Sequence, residues 1–110
     1  MKSFDDREKA FENKYAHDAE MQWKAEARRN RLLGEWAARE MGMTDPAEIE
    51  AYGKAVVKAD FEEAGDADVV RKVLGDFEAR AIAIDEPALR VKMTELLAEA
   101  KTQLMGEMGS

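Results

Sequence analysis

The apolar face of residues 4–41 most constrains how this chain can fold. At about 100° per residue, a helix through this stretch lines up Phe4, Phe11 and Tyr15. The same face then passes through polar side chains and becomes apolar again near Leu33. The later patch is wide enough to cover a globular core. The earlier one is narrow, aromatic and flanked by charge, which is typical of an arm that docks on another protein.

Three later segments repeat apolar residues every three or four positions, which predicts three more helices. Asp45 followed by Pro46 predicts the start of the first of them, as a capping residue and a first helical position. Asp85 followed by Pro87 predicts the start of the last one by the same logic. Short connections between amphipathic helices favour a bundle around one core.

The middle of the chain carries weaker signals. Gly42 predicts the end of the first bundle helix, and Asp66 or Asp68 the start of the third. Gly53 lies inside a predicted helix, either because another helix passes close by or because the position tolerates it. Residues 81–84 have no partner strand in the sequence, so we expect a linker packed on the core.

These patterns predict one all-α domain, a four-helix bundle preceded by an N-terminal arm. A chain of 110 residues is long enough for one modest core but too short for two. The bundle spans residues 20–105, and residues 106–110 are expected to fray.

Composition excludes several classes of function. The net charge of -7 argues against nucleic-acid binding, which needs a dominant basic surface. There is no cysteine and only one histidine, His17, so thiolate and multi-histidine sites are excluded. We expect His17 to be solvated and the protein not to be an enzyme. With no apolar run long enough to cross a bilayer and no signal-peptide pattern, we expect a cytoplasmic protein without direct membrane insertion.

The first bundle helix also carries a basic ridge with nearby tryptophans. Lys24, Arg28 and Arg31 lie three or four positions apart and form this ridge, and Arg29 is turned partly toward the core side. One interpretation is a solvated face. The other is an anion or phosphate site in which Trp23 or Trp36 stacks on a ligand. For both tryptophans, packing in the core is the ordinary expectation.

Four segments together resemble one known family. They are FDDREKAFENKYAHD, KAEARRNRLLGEWAA, AYGKAVVKADFEEAGD and KMTELLAEA. In these segments and over nearly the whole chain, the sequence is similar to the zeta subunits of alphaproteobacterial F-type ATP synthases, a family of ATPase inhibitors. Tyr15 and Trp23 stand where phenylalanine is usual in the family, and Ala64 where proline is common. These differences preserve aromatic or turn character.

The resemblance implies a four-helix bundle with a flexible inhibitory N-terminal arm, which spans residues 1–19 and becomes helical on binding. That segment is expected to enter a catalytic interface of the soluble head of the ATP synthase, formed by its alpha, beta and gamma subunits, and to block rotation in the hydrolytic direction. The protein would then be cytoplasmic and associated with the membrane-bound enzyme. The apolar anchors of the arm would be Phe4, Phe11 and Tyr15. The charged residues that fix its register would be Asp5, Asp6, Arg7, Glu8 and Lys14.

Two questions stay open at this level. The family is associated with ADP or ATP binding, so the alternative function is a nucleotide-responsive helical module that needs no other cofactor. Composition alone selects the residues of that site as Trp23, Lys24, Arg28 and Arg29. The arm has two interpretations as well: it either packs on its own bundle or folds only on a partner, because its narrow stripe buries little surface.

Overall fold

The chain is all-helical over the residues that the structure describes. The computed structural model describes residues 4–61 and 65–109, with side chains for residues 8–61 and 65–107. Within these ranges there are five helices and no strand. The helices are α1 (Phe4–His17), α2 (Ala19–Glu40), α3 (Pro46–Ala59), α4 (Ala67–Ala79) and α5 (Glu86–Gly109). The predicted all-α class is confirmed, and the helix count differs from four because α1 is a separate helix.

Asp18 divides the stretch that sequence periodicity treats as one helix. Its backbone is extended, and its carboxylate accepts hydrogen bonds from the amides of Glu20 at 2.9 Å and Met21 at 3.4 Å. These are the free amides of a new helix N-terminus, so Asp18 acts as the N-cap of α2. Residue 18 therefore separates α1 from α2.

The other helix starts follow the predicted signals. Asp45 caps α3 by accepting from the amide of Ala47 at 3.0 Å, with proline at the first helical position. Asp85 accepts from the amide of Ala88 at 2.9 Å at the start of α5. Asp66 stands directly before α4 without a side-chain cap. Local capping chemistry therefore sets most of the helix boundaries.

Glycines allow α2 and α3 to pack with their backbones in close approach. A Cβ built on Gly34 would lie 2.6 Å from Cα of Gly53. A Cβ on Gly53 would lie 3.2 Å from the carbonyl oxygen of Arg31. Of the two explanations that the sequence left open for Gly53, the structure supports the close approach of another helix, and Gly34 is the partner that the sequence did not identify.

The main core lies between α2, α3, α4 and α5. The buried side chains of this cluster are Leu33, Ala37, Met41, Val56, Val69, Val70, Val73, Phe77, Leu89, Met93 and Leu96. Trp36 packs against them with its ring 5.9 Å from that of Phe77. Among the α1 residues whose side chains the structure describes, 8–17, none belongs to this cluster, so the described core of α2–α5 is their own.

Positive φ angles follow the ends of α2 and α4. Gly42 has φ +89° after α2, as expected for a glycine stop. After α4, Ala81 has φ +58° and the amide of Ile82 donates to the carbonyl of Phe77 at 2.9 Å. Ile82 and Ile84 are half-buried against the main core. The predicted linker over residues 81–84 is confirmed.

The C-terminal helix extends past the residue where the sequence predicts fraying to begin. Helix α5 continues to Gly109, and fraying of residues 106–110 stays a prediction. Leu104 and Met105 are buried against other helices, and Glu107 forms an ion pair with Arg28 of α2. These contacts tie the last turns to the bundle, which the local sequence does not show.

Candidate functional site

The N-terminal arm lies as a helix on its own bundle. Phe11 is only 4% exposed, in an apolar socket between α2 and α5. The socket is formed by Met21, Ala25, Leu104 and Met105, with Tyr15 and Leu97 at its edge. The rings of Phe11 and Tyr15 are stacked, with centroids 6.4 Å apart. The two described aromatic anchors of the arm therefore face the bundle.

Polar contacts fix the C-terminal half of the docked arm. Lys101 Nζ of α5 lies 3.6 Å from Glu12 Oε2 and 4.1 Å from the centroid of the Tyr15 ring. Gln22 Nε2 donates to the carbonyl of Tyr15 at 3.0 Å and to that of Ala16 at 3.3 Å. These carbonyls are at the open end of α1, so Gln22 caps that helix from α2.

The docked arm bears on an alternative that the sequence left open. The narrow aromatic stripe could either pack on its own bundle or fold only on a partner, and the structure buries Phe11 on the bundle. The reason is that α2 and α5 supply a second apolar cluster, separate from the main core, into which one aromatic ring fits. The flexibility of residues 1–19 and their folding on a partner stay predictions.

Other arm residues divide between solvent and undescribed positions. Glu8 and Lys14 are exposed, as expected for side chains that set register against a partner. Burial raises the pKa of the Tyr15 phenol, and the carboxylates of Glu26 and Glu12 add to the rise. The remaining predicted arm side chains, those of Phe4, Asp5, Asp6 and Arg7, lie outside the described side chains. His17 is exposed at the end of α1, as predicted.

A groove of about 600 Å³ brings together three of the four predicted nucleotide-site residues. Trp23, Lys24 and Arg28 line it, along with Arg31. Its other lining residues are Met21, Ala27, Val57, Leu104 and Glu107. Trp23 is 57% exposed, so the expectation of core packing is wrong for this tryptophan. It is open because its position on α2 faces the groove instead of the main core.

Carboxylates partly neutralise the basic side chains of the groove. Arg28 pairs with Glu107, with one Nη2–Oε1 distance of 3.2 Å, and this contact lowers the pKa of the Glu107 carboxyl. Lys24 Nζ lies 3.3 Å from a carboxylate oxygen of Glu20. An anion that binds here must therefore compete with carboxylates already in place.

Arg29 is not part of this groove. It is buried, and its Nε donates to the side-chain carbonyl of Asn30 at 3.1 Å. It lines a separate cleft with Glu26, Asp60 and Asp66. The sequence correctly turned Arg29 toward the core, but composition grouped it with basic residues that it does not join.

Sequence reasoning missed the residues that complete both surfaces. Lys101 and Gln22 hold the arm, and Glu107 reaches Arg28 from 79 positions away. In the sequence, only the basic ridge of the first bundle helix and its nearby tryptophans signalled the groove. No local pattern links a helix near the N-terminus to the end of α5.

In residues 4–61 and 65–109, none of the helices combines the length and the apolar character that a membrane span requires. Nor does the described part of the chain contain a cluster of three or more acidic, histidine or cysteine side chains suited to a metal ion.

Comparison with known families places the whole arm and most of the bundle in one of them. The family described as ATPase inhibitor subunit zeta matches residues 1–103. No curated protein matches the chain. The match includes the arm and the α2 residues that line the socket and the groove. Leu104, Met105 and Glu107 lie just beyond it.

Proposed function

Because the chain belongs to the ATPase inhibitor subunit zeta family, we propose that it inhibits ATP hydrolysis by inserting its N-terminal arm into a catalytic interface of the F-type ATP synthase. The proposed partner surface is formed by the alpha, beta and gamma subunits of the soluble head. A regulatory, non-catalytic role follows from the family, and association with the ATP synthase follows with it. The arm as the inhibitory element is our proposal.

The single observation that carries the proposal is the aromatic face of α1. Phe11 and Tyr15 stack one turn apart on a helix, while charged Glu8 and Lys14 are exposed beside them. A helix with a narrow apolar face and charged flanks fits a hydrophobic groove on a partner. The bundle already shows that such a face can be buried, because it buries Phe11 itself.

A wedge of this kind needs no chemistry of its own. Catalytic turnover in a rotary ATPase requires subunit interfaces to open and close, and an inserted helix adds packing that favours one closed arrangement. Part of the binding free energy is offset by the ordering of the arm and by the loss of its contacts with α5. Inhibition then depends on the direction of rotation, because the inserted helix opposes the interface motions of one direction only.

Removal of the arm tests this proposal. A chain that begins at Asp18 retains the N-cap of α2 and all of the main core, so we expect it to stay helical by circular dichroism. It should no longer inhibit ATP hydrolysis by the purified catalytic head. A folded, truncated chain that inhibits as strongly as the full chain would contradict the arm's role.

The groove supports a second proposal, in which ADP or ATP binds as a regulatory ligand. An exposed indole beside Lys24 and Arg28 offers a stacking surface for a base and cations for phosphates. Arg29 is left out of this site because it lies in another cleft.

Charge variants at the groove test the nucleotide proposal. Glu107→Gln removes the carboxylate that pairs with Arg28, so it should tighten ADP binding, whereas Arg28→Gln should weaken it. Titration followed by backbone NMR should shift amides between residues 23 and 31. A titration without shifts there, or an Arg28→Gln variant that binds ADP as well as the parent chain, would remove this site.

A further inference from the structure

We propose that the docked arm is a self-inhibited state of the protein and that Lys101 is the latch that holds it. This inference rests on the proposed function of the arm and adds its regulation. The latch is defined by the contacts of Lys101 with Glu12 and Tyr15. Opening it would release the arm for the catalytic head.

Docking and inhibition compete for the same side chains. Phe11 is buried in the socket, and Tyr15 stacks on it while half-buried. A partner groove that takes the aromatic face of α1 needs both rings, and neither ring can occupy two sites at once. Binding to the head therefore requires the arm to leave α5 first.

Lys101 is placed to control that step. Its side chain is 23% exposed, and its ammonium group contacts a carboxylate and an aromatic ring that both belong to α1. When the arm leaves, both contacts break together. Lys101 itself stays on α5, where Leu104 and Met105 of the socket also lie.

The chain also has a pivot where the arm can turn. Asp18 caps α2 through the amides of Glu20 and Met21, so α2 keeps its N-cap whether or not α1 is docked. Gln22 holds the last carbonyls of α1 and must release them as the arm swings out. Release therefore involves α1 and leaves the main core unchanged.

The contacts of Lys101 are of moderate strength, as a reversible latch requires. A partly exposed ion pair and a cation–π contact together correspond to about a fivefold change in the docking equilibrium. When only a small fraction of molecules has the arm free, the apparent affinity for the partner scales with that fraction. Loss of the latch should therefore increase inhibitory potency by about the same factor.

Lys101→Gln tests the latch in the full chain. Glutamine keeps much of the aliphatic stem but lacks the charge, so the concentration of protein that half-inhibits the catalytic head should fall about fivefold. Lys92→Gln is the matched control. Lys92 is also on α5 and makes an ion pair with Glu95 at 3.7 Å and a cation–π contact with Trp36 at 5.5 Å, but neither partner is in the arm. The Lys92→Gln variant should inhibit with unchanged potency.

An unchanged potency for Lys101→Gln would overturn the latch. A weaker Lys101→Gln inhibitor would also overturn it, because Lys101 would then contribute to binding of the head. Either result leaves the inhibitory role of the arm intact, since that role is tested separately by the chain that begins at Asp18. The two experiments therefore distinguish failure of the latch proposal from failure of the proposed inhibitory role of the arm.

A reversible crosslink gives a second, independent test. The chain contains no cysteine, so Glu12→Cys and Lys101→Cys can be joined by a reducible bis-maleimide without side reactions at other thiols. The bridged protein should not inhibit, and reduction of the linker should restore inhibition. The control bridge joins Asp66→Cys and Arg90→Cys. These two side chains form an ion pair with an N–O distance of 3.1 Å, and neither belongs to the arm. The control protein should inhibit both with the linker intact and after its reduction. Full inhibition by the bridged arm would overturn the requirement for release.

Discussion

Single glycines decide how closely two helices of this bundle approach. At Gly34, an added methyl group would meet the Gly53 backbone at 2.6 Å, and backbone cannot move aside as a flexible side chain can. At Gly75 of α4, an added methyl group would meet nothing within 4 Å. The same substitution should therefore have opposite effects at these two sites.

We expect Gly34→Ala to lower the free energy of unfolding by about 1–3 kcal/mol through overpacking. Gly75→Ala should raise it by about 0.5–1 kcal/mol, because alanine has the higher helix propensity. Urea unfolding of the two variants beside the parent chain measures both changes. A Gly34→Ala variant as stable as the parent would show that α2 and α3 are not in backbone contact.

The environment of Asp60, at the end of α3, should make the stability of the protein depend on pH. Burial raises the pKa of its carboxyl and the carboxylates of Asp68 and Asp66 add to the rise, while the Asn30 side chain and the charge of Arg29 oppose it. The folded state therefore favours the protonated form. The stabilisation that this group contributes is fully present below the pKa of about 4 that aspartate has in the unfolded chain. It is lost as the pH rises through the higher pKa of the folded state.

Asp60→Asn removes the charge and so should stabilise the protein at pH 7. Its advantage over the parent chain should disappear near pH 3, where Asp60 is protonated in both the folded and unfolded states. Urea midpoints at the two pH values measure the difference. Equal differences at pH 3 and pH 7 would show that ionisation of Asp60 does not affect stability.

At the scale of helices, local chemistry could be predicted and long-range docking could not. Asp45 and Asp85 cap helices within three residues of themselves, so their role is visible in the sequence. Sequence periodicity missed the break at Asp18 because apolar residues follow a similar helical spacing before and after it. The docking of α1 depends on Leu104 and Met105, which no local pattern connects to Phe11.

The cap at Asp18 should carry part of the stability of α2. Asp18→Ala removes the acceptor for two helix amides and should cost about 0.5–2 kcal/mol of unfolding free energy, whereas Asp18→Asn keeps an acceptor and should cost less. Thermal melts of both variants compare them directly. Equal melting temperatures for the alanine and asparagine variants would show that the cap is unimportant.

At the scale of the whole molecule, the arm and the groove share a wall. Met21 and Leu104 belong to the socket of Phe11 and also line the groove that contains Arg28. The sequence predicted an arm and a basic ridge as separate features. Their common wall depends on the path of α5 across α2, which only the folded chain shows.

The measurement that tests the central claim most directly is a distance between spin labels on the arm and on α5. Ala10 of α1 and Thr94 of α5 are exposed, and the chain has no other cysteine to label. The free protein labelled at Ala10→Cys and Thr94→Cys should show a short separation, because α1 packs on α5. When the protein inhibits the catalytic head, the separation should lengthen as the arm leaves the bundle. A fully inhibited complex that keeps the short separation would contradict both release and insertion of the arm.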